Sequence, residues 1–389
     1  MKIKIIIPLI FISNIVFGQD PSFSQFDLNM MYTNPAYASY EGGTRILLHS
    51  RNQWNRINEN FNNSLLELSS RMVLNRNNRK LKSSWCYGIN ILSEDLEAFP
   101  EIGNSVFLNK QEITLMPFTL ELKISNNSYI SAAPLNVSFR KYDLIWDDML
   151  FSDMLDDYGN IFNTTSFNPD LFVHENWIGD LSYGFIYTMH GKYSNNQANR
   201  FNLGFASHHA LQPVESFSNN NTNSSKIPIR LTIHSEFYSA IPLNVSTRPF
   251  IPYYRALIKH ERYIKDGNML MAKTEIGGTM FINNTPLEVG SLFRLNKNTQ
   301  DKNTFQSWIP IIRYRINQGR HLYVISYSYD LNIATQNSIT LSASGTTHEI
   351  GFSMYLFSGW GGNKDCAAFK QMDNNPLYQD IMKNGLLRK

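Results

Sequence analysis

The chain has 389 residues, of which 42% are hydrophobic, 13% aromatic and only 17% charged, and its formal net charge is +3. A soluble domain usually carries roughly 25% charged residues, whereas many aromatics beside few charges fit a wall that is apolar outside and polar inside. The small net charge excludes the basic field of a nucleic-acid-binding protein, so we expect no nucleic-acid partner.

The first predicted element is an export signal at residues 1–18. Lys2 and Lys4 precede an apolar run that ends at Phe17, and Gly18 supplies the small residue expected before a cleavage site. The run is shorter than the roughly 18 residues that a spanning helix needs. No Cys follows the predicted cut, so we expect no lipid anchor, and the mature chain is expected to be periplasmic, secreted or an outer-membrane barrel.

Apolar and polar residues then alternate with a period of two along most of the chain, which is typical of strands with two different faces. Near the C-terminus, Ile350, Phe352 and Met354 fall on one face, whereas Gly351 and Ser353 fall on the other. The predicted strands lie near 44–52, 61–74, 85–93, 109–123, 128–141, 176–189, 200–208, 227–239, 246–260, 268–282, 287–295, 304–316, 320–332 and 346–358.

This pattern predicts an all-β fold, a transmembrane antiparallel up-and-down β-barrel of about 14 strands over residues 44–358. A plug-like segment at 19–43 precedes the barrel, and a tail at 359–389 follows it. A large soluble β-sandwich would also show alternation, but it would rarely need so many long strands.

The connections predict how the barrel lies in the membrane. Several turns after even-numbered strands are short, and longer loops follow odd-numbered strands. The longer loops lie near 94–108, 142–175, 209–226 and 333–345. Outer-membrane barrels have short periplasmic turns and longer outside loops, so we expect the mature N-terminus and the tail in the periplasm.

The segment from Gln19 to Tyr40, QDPSFSQFDLNMMYTNPAYASY, contains a QDP, an FSQ and an NPAY motif. This opening resembles that of the PorP/SprF family of type IX secretion system membrane proteins of Bacteroidetes. The resemblance implies a plug-like segment whose family-motif residues are Phe23, Gln25, Asn34, Pro35 and Tyr37.

Further stretches resemble the same family in the same order, to about residue 370. Asn202–Pro213, NLGFASHHALQP, is similar to a block of glycine, small residues and histidine, in which His208, Gln212 and Pro213 are the matching structural residues. The extension from Asp373 to Lys389 departs from the shorter ending expected of the family.

The resemblance implies a non-enzymatic outer-membrane component of type IX secretion. Such a protein helps to export a surface adhesin or anchors it through the adhesin's C-terminal sorting domain, in some members during gliding motility. The implied partners are the adhesin, periplasmic type IX secretion or peptidoglycan-associated components, and outer-membrane lipid. The alternative is an outer-membrane porin or transporter for small hydrophobic or polar solutes.

The chemistry-bearing residues predict no catalytic, cofactor-binding or metal site. His208 and His209 are adjacent and would point to opposite faces of a regular strand. Ser207 has no nucleophile-elbow motif around it, as a serine lipase would require, and no P-loop, dinucleotide or zinc motif occurs. Whether Cys86 and Cys366 form a disulfide or remain two thiols stays open.

The loop at 142–175 mixes acidic and large apolar residues without Lys or Arg. It could be a docking surface for cargo, a lid packed into the barrel mouth, or a calcium site, although the EF-hand spacing is absent. The candidate cargo-binding residues are Trp146, Asp147, Asp148, Met149, Phe151, Asp153, Asp156 and Asp157.

Overall fold

The computed structural model describes most of the predicted barrel and the segment that precedes it. The described residues are 20–40, 43–53, 59–73, 83–98, 106–125, 127–144, 152–154, 175–191, 199–216, 226–240, 252–282, 286–298, 303–318, 321–332 and 347–356. The predicted export signal and C-terminal tail lie outside these residues.

Fourteen strands within the described residues form one closed sheet. They are β1 Thr44–Gln53, β2 Glu59–Val73, β3 Ser83–Ala98, β4 Val106–Lys123, β5 Ser128–Leu144, β6 Glu175–His190, β7 Asn199–His208, β8 Ile229–Ala240, β9 Pro252–Lys265, β10 Asn268–Ile282, β11 Leu287–Asn298, β12 Asn303–Gln318, β13 His321–Asn332 and β14 Thr347–Leu356.

Each strand pairs antiparallel with its neighbours in sequence, and β14 closes the barrel by pairing with β1. In that closing pair Arg45 lies opposite Tyr355 and Arg51 lies opposite Glu349. Closure leaves no strand edge unpaired. The predicted up-and-down barrel is therefore confirmed.

The two faces of the wall differ as the alternation predicts. Along β13, Val324, Ser326 and Ser328 are buried, whereas Ile325 and Tyr327 are exposed. The inner face carries most of the buried polar and charged side chains, and large apolar side chains point outward. An apolar outer band around a polar interior is the arrangement of an outer-membrane barrel.

Strand β9 differs from the predicted range 246–260 at both ends, because it runs from Pro252 to Lys265. Its outward positions after Ile258 are polar, namely His260 and Arg262, and this ended the apolar alternation in the sequence. A two-residue turn, Asp266–Gly267, joins it to β10, and both residues have positive φ (49° and 78°). Asp-Gly suits such a turn, so the loop after this odd-numbered strand is short, contrary to the predicted asymmetry.

Residues 20–40, hereafter the lumen segment, lie inside the barrel, as predicted for a plug-like segment. They contain a one-turn helix, α1 Met30–Thr33, and a 3₁₀ helix at Pro35–Ser39. Their apolar side chains pack against inward-facing apolar residues of the wall in a cluster that includes Met31, Tyr40, Met116, Tyr129 and Ile186. None of the helices in the described residues is long and apolar enough to span a bilayer.

Candidate functional site

The NPAY motif attaches the lumen segment to three neighbouring strands through Asn34. Its Nδ2 donates to the backbone oxygens of Phe185 in β6 and Phe205 in β7, both at 3.1 Å, and lies 3.0 Å from His234 Nε2 in β8. Its Oδ1 accepts from Ala36 N at 3.0 Å and so caps the 3₁₀ helix. An amide supplies both a donor and an acceptor, as this position requires.

The other residues of NPAY complete this contact. Pro35 occupies the first position of the 3₁₀ helix, where its missing N–H costs little. Tyr37 stacks on His234 with ring centroids 5.1 Å apart, and its hydroxyl lies 3.3 Å from His234 Nδ1. The motif is therefore a packing and hydrogen-bonding unit inside the barrel.

Two wall glycines allow the lumen segment to approach this closely. A Cβ at Gly184 would lie 2.1 Å from Asn34 Oδ1, and a Cβ at Gly204 would lie 2.1 Å from His234 Nε2. Both distances are far inside van der Waals contact, so a side chain at either position would displace its neighbour.

The FSQ motif enters a charged network through Ser24. Its hydroxyl donates to Asp330 Oδ1 at 2.7 Å, and Arg51 and Arg294 donate to that hydroxyl at 3.0 and 2.7 Å. The backbone N–H of Ser24 donates to Glu349 Oε1 at 2.7 Å. Since these side chains are almost fully buried, the charges compensate one another inside the lumen.

Gln25 extends the same network to β12 and β13. Its Nε2 donates to Ser328 Oγ at 3.1 Å, and its Oε1 accepts from Ser326 and, at 3.3 Å, from Arg313 Nη2. The preceding motif residue, Phe23, is apolar and packs with Leu65 and Leu92 instead.

Asp27 attaches the lumen segment to β9 and β12 through two arginines. Arg313 donates to both of its oxygens, at 2.6 and 2.8 Å, and Arg255 Nη1 donates to Oδ2 at 2.7 Å. A fork-shaped Arg–carboxylate pair fixes geometry as well as charge. Removing one partner of such a buried pair typically costs roughly 3–5 kcal/mol, because the other charge remains buried.

The two histidines of the NLGFASHHALQP block both lie in the lumen, because His209 lies beyond the end of β7 and the geometry of a regular strand does not apply to it. β7 ends at His208, and His209 takes a left-handed backbone (φ 59°) that turns its side chain inward. His208 Nε2 lies 3.3 Å from Thr33 O. Gln212 also has positive φ (47°), and Pro213 O accepts from Ile227 N at 2.9 Å, so both belong to the turn after β7.

His209 bridges the start of the lumen segment to the wall. Its Nδ1 lies 2.6 Å from Asp180 Oδ2, and its Nε2 lies 2.6 Å from Asp20 Oδ2. Both nitrogens face carboxylates, so both must carry protons and the ring is an imidazolium. Arg140 and Arg230 also pair with Asp20, at 3.2 and 3.1 Å.

Opposite charges set the protonation of this bridge. Burial raises the pKa of Asp20, but the charges of His209 and Arg230 outweigh burial and hold this pKa well below its usual value. Burial lowers the pKa of His209, but the charge of Asp20 and the hydrogen bonds with Asp180 and Asp20 outweigh burial and raise it. The pair therefore stays charged over a wide pH range.

The lumen segment crosses the barrel from one end to the other. Tyr40 contacts Asn202 and Arg200 near the beginning of β7, at the end where β1 also begins. Asp20 contacts His209 and Arg230, where β7 ends and β8 begins, at the opposite end. We call the latter the long-loop end and the former the short-turn end.

The expected position of the mature N-terminus, at the end where β1 begins, stays a prediction because Gln19 lies outside the described residues. Asp20, the first described residue, lies at the opposite end. The sequence of this segment predicts no strand or helix long enough to cross the lumen. The direction in which the segment runs through the barrel is therefore visible only from its ionic partners. Because Asp20 is held at the long-loop end, the chain enters the described part of the structure there and leaves the lumen at the short-turn end.

Most side chains of the lumen segment are buried against the inner wall. A cavity of about 20 Å³ lies beside the lumen segment, lined by residues that include Asp20, Tyr32, Arg140, His208 and Arg230. Such a volume is about that of one water probe. Within the described ranges, no three His, Cys, Asp or Glu side chains converge as the ligands of a metal ion would.

The structure describes one of the eight candidate cargo-binding residues. Asp153 is exposed in a 3₁₀ helix at Ser152–Met154, and the other seven lie outside the described residues. Cys86 is buried and points into the lumen, whereas Cys366 lies outside the described residues.

Sequence reasoning missed the wall residues that hold the lumen segment. Arg255, Arg313, Asp330 and Glu349 stand on the inward parity of strands whose outward residues are apolar. Charged residues that alternate with apolar outward residues along a predicted strand point into the lumen, and this pattern could have identified them in the sequence. Their individual partners in the segment could not be read from spacing alone.

Comparison with known proteins identifies a family. Residues 15–354 match the family model described as type IX secretion system membrane protein PorP/SprF. A search of curated proteins found no match to the chain.

Solved outer-membrane barrels are similar in shape only. They include the β domain of the Bordetella autotransporter Brka (8% identity, TM-score 0.36, covering 81% of this chain and 98% of that one). A Pseudomonas aeruginosa FadL homologue has 9% identity and a TM-score of 0.36, with 84% and 94% covered. The translocator domain of Neisseria meningitidis NalP has 6% identity and a TM-score of 0.37, with 85% and 94% covered. These likenesses carry no argument about function.

Proposed function

Because the chain belongs to the PorP/SprF family of type IX secretion system membrane proteins, we propose that this outer-membrane barrel holds a secreted surface adhesin, or helps to export it, by binding the adhesin's C-terminal sorting domain. The barrel contributes a docking platform and no catalysis. In a motile cell the bound adhesin would serve gliding. Periplasmic components of the secretion system would approach the short-turn end.

The observation that carries this proposal is the filled lumen. A pore for solutes needs an open channel, whereas the lumen segment here is attached by Asn34, Ser24, Gln25 and Asp27 to both halves of the wall. A barrel that is closed in this way is suited to present its loops as a fixed surface. The porin alternative predicts the opposite, a lumen lined by exposed polar side chains.

The docking surface that we propose lies at the long-loop end, on the loops at 142–175 and 209–226. The acidic loop combines carboxylates with large apolar side chains, which is the composition of an interface with apolar anchors. Asp153 is exposed there. The same loop could instead fold into the mouth as a lid, in which case its removal would leave cargo binding intact.

The test is crosslinking in native membranes, followed by mass spectrometry of the attached protein. The expected partner is a large secreted protein with a C-terminal sorting domain. Deleting residues 145–158 should abolish co-purification of that partner while the barrel remains in the membrane. Replacing 333–345, a loop at the same end without the acidic cluster, is the matched control and should leave binding unchanged. Equal binding by the two variants would refute this docking surface.

A further inference from the structure

A group of basic side chains lies on the outward face of β9 to β11, near the long-loop end. Arg262 in β9 pairs in register with Ala272 in β10, which pairs with Lys297 in β11. Residues directly opposite one another share a face of the sheet. Arg262 is exposed, so all three lie on the outside of the barrel. Ala272 nevertheless is only 4% exposed, as expected between two long side chains.

A histidine orients the guanidinium group. Arg262 Nε donates to His260 Nε2 at 3.0 Å, and His260 Nδ1 lies 2.9 Å from Thr274 Oγ1 in β10. With Nε2 accepting, the Nδ1–H donates to the threonine, and the ring is neutral. Among the described residues, no carboxylate forms an ion pair with the exposed Arg262 side chain at salt-bridge distance.

The wall directly below this group is apolar. Ile258, Ile276 and Phe293 form a lateral row across the same three strands. They are 41%, 46% and 42% exposed. Four residues along a strand separate this row from Arg262, which is about 13 Å. The basic group therefore stands at the border between the apolar band and the polar end of the barrel.

On β3 to β5 the same border carries both signs of charge. Across β3, β4 and β5, Asp95, Asn109 and Asp143 form the corresponding lateral row. Asn109 Nδ2 donates to Asp95 Oδ1. Lys141 lies two residues from Asp143 on the same face of β5, so a carboxylate accompanies the cation there. The described row of Arg262, Ala272 and Lys297 contains no carboxylate.

We propose that Arg262 and Lys297 bind the phosphate of a membrane lipid, namely the phosphorylated glycolipid in the leaflet at the long-loop end. Guanidinium recognises phosphate through two parallel N–H donors, and ammonium adds a point charge. The apolar row of Ile258, Ile276 and Phe293 would then contact the acyl chains. A cation facing lipid is costly in the hydrocarbon and tolerated near the headgroups, which agrees with its position at the border.

Native mass spectrometry of the purified full chain with added lipid A tests this site. The double substitution Arg262→Gln/Lys297→Gln is expected to weaken retention of lipid A at least about tenfold, because charge-assisted hydrogen bonds are lost. Lys141→Gln is the matched control. It removes one cation from β5 near the same end and is expected to retain lipid A as the wild type does.

The comparison of these variants separates a lipid site on β9 to β11 from non-specific retention of lipid A. Retention by the double variant at the wild-type level would overturn the proposal, as would an equal loss in the Lys141→Gln control. Complete displacement by millimolar inorganic phosphate would also overturn it, because the site would then bind free phosphate rather than lipid. Heat-modifiable mobility on gels verifies that each variant forms the folded barrel. Cargo binding is not involved, so the result is independent of the proposed adhesin partner.

Discussion

The side chain of Asn34 packs directly against Gly184 in the barrel wall, since a Cβ at Gly184 would lie 2.1 Å from Asn34 Oδ1. The amide of Asn34 then reaches the backbone oxygens of Phe185 and Phe205. This contact makes the NPAY motif the centre of the attachment between the lumen segment and β6 to β8.

Gly184→Ala is expected to destabilise the barrel by roughly 1–3 kcal/mol, because the added methyl overpacks the contact with Asn34. Unfolding in urea, followed by tryptophan fluorescence, measures this change. Gly179→Ala is the matched control in the same strand, since a Cβ there meets nothing within 4 Å. Equal stability of the two variants would contradict the packing described here.

Asn34→Ala should loosen the lumen segment, since it removes the donors to two backbone oxygens and the cap of the 3₁₀ helix. Leaving buried acceptors unsatisfied costs about 1–3 kcal/mol. Limited proteolysis of the folded barrel measures cleavage within residues 20–40. Asn34→Asp separates the two roles, because a carboxylate still caps Ala36 N but cannot donate. Wild-type resistance in Asn34→Asp would show that the donors are dispensable.

The pair of Asp20 and His209 predicts a pH dependence. The raised pKa of His209 stabilises the folded barrel. This contribution is fully present below about pH 6.5, the pKa of His in the unfolded state, and is lost as pH rises through the pKa in the folded state. The lowered pKa of Asp20 also stabilises the folded barrel. This contribution is fully present above about pH 3.9, the pKa of Asp in the unfolded state, and is lost as pH falls through the pKa in the folded state. Both contributions are therefore complete between these values.

Thermal unfolding across pH measures this window. Relative to the wild type, His209→Gln is expected to lower the midpoint most between about pH 4 and 6.5, and the difference should shrink in more alkaline buffer. A difference between the two proteins that stays constant from pH 5 to pH 10 would contradict the charged bridge. Asp20→Asn should reproduce the loss in the same window.

The direction of the lumen segment predicts where an added N-terminal epitope appears. Asp20 lies beside His209 at the long-loop end. An epitope inserted before Asp20 should therefore be labelled by antibody in intact cells if the long loops face outward. An epitope in the long loop at 333–345 is the positive control. Labelling of the first epitope only after permeabilisation, with the loop epitope labelled in intact cells, would contradict this path.

The alternation of apolar and polar residues predicted the number of strands, because every strand of the wall has one face toward the membrane and one toward the lumen. It failed at β9, where the outward residues His260 and Arg262 interrupted the apolar pattern, although Asp266–Gly267 was a recognisable turn. The lumen segment was predicted as a plug from its motifs and apolar residues. Its direction was not, since that depends on contacts such as Asp20 with Arg230, whose residues are far apart in sequence.

The most direct test of the account is the single-channel conductance of the purified full chain in planar bilayers. A lumen sealed by residues 20–40 predicts no steady ion current for the wild type. A variant with these residues deleted, if it inserts as a folded barrel, should conduct and so serves as the positive control. A wide, permanently open conductance in the wild type would contradict the sealed lumen and favour a solute pore.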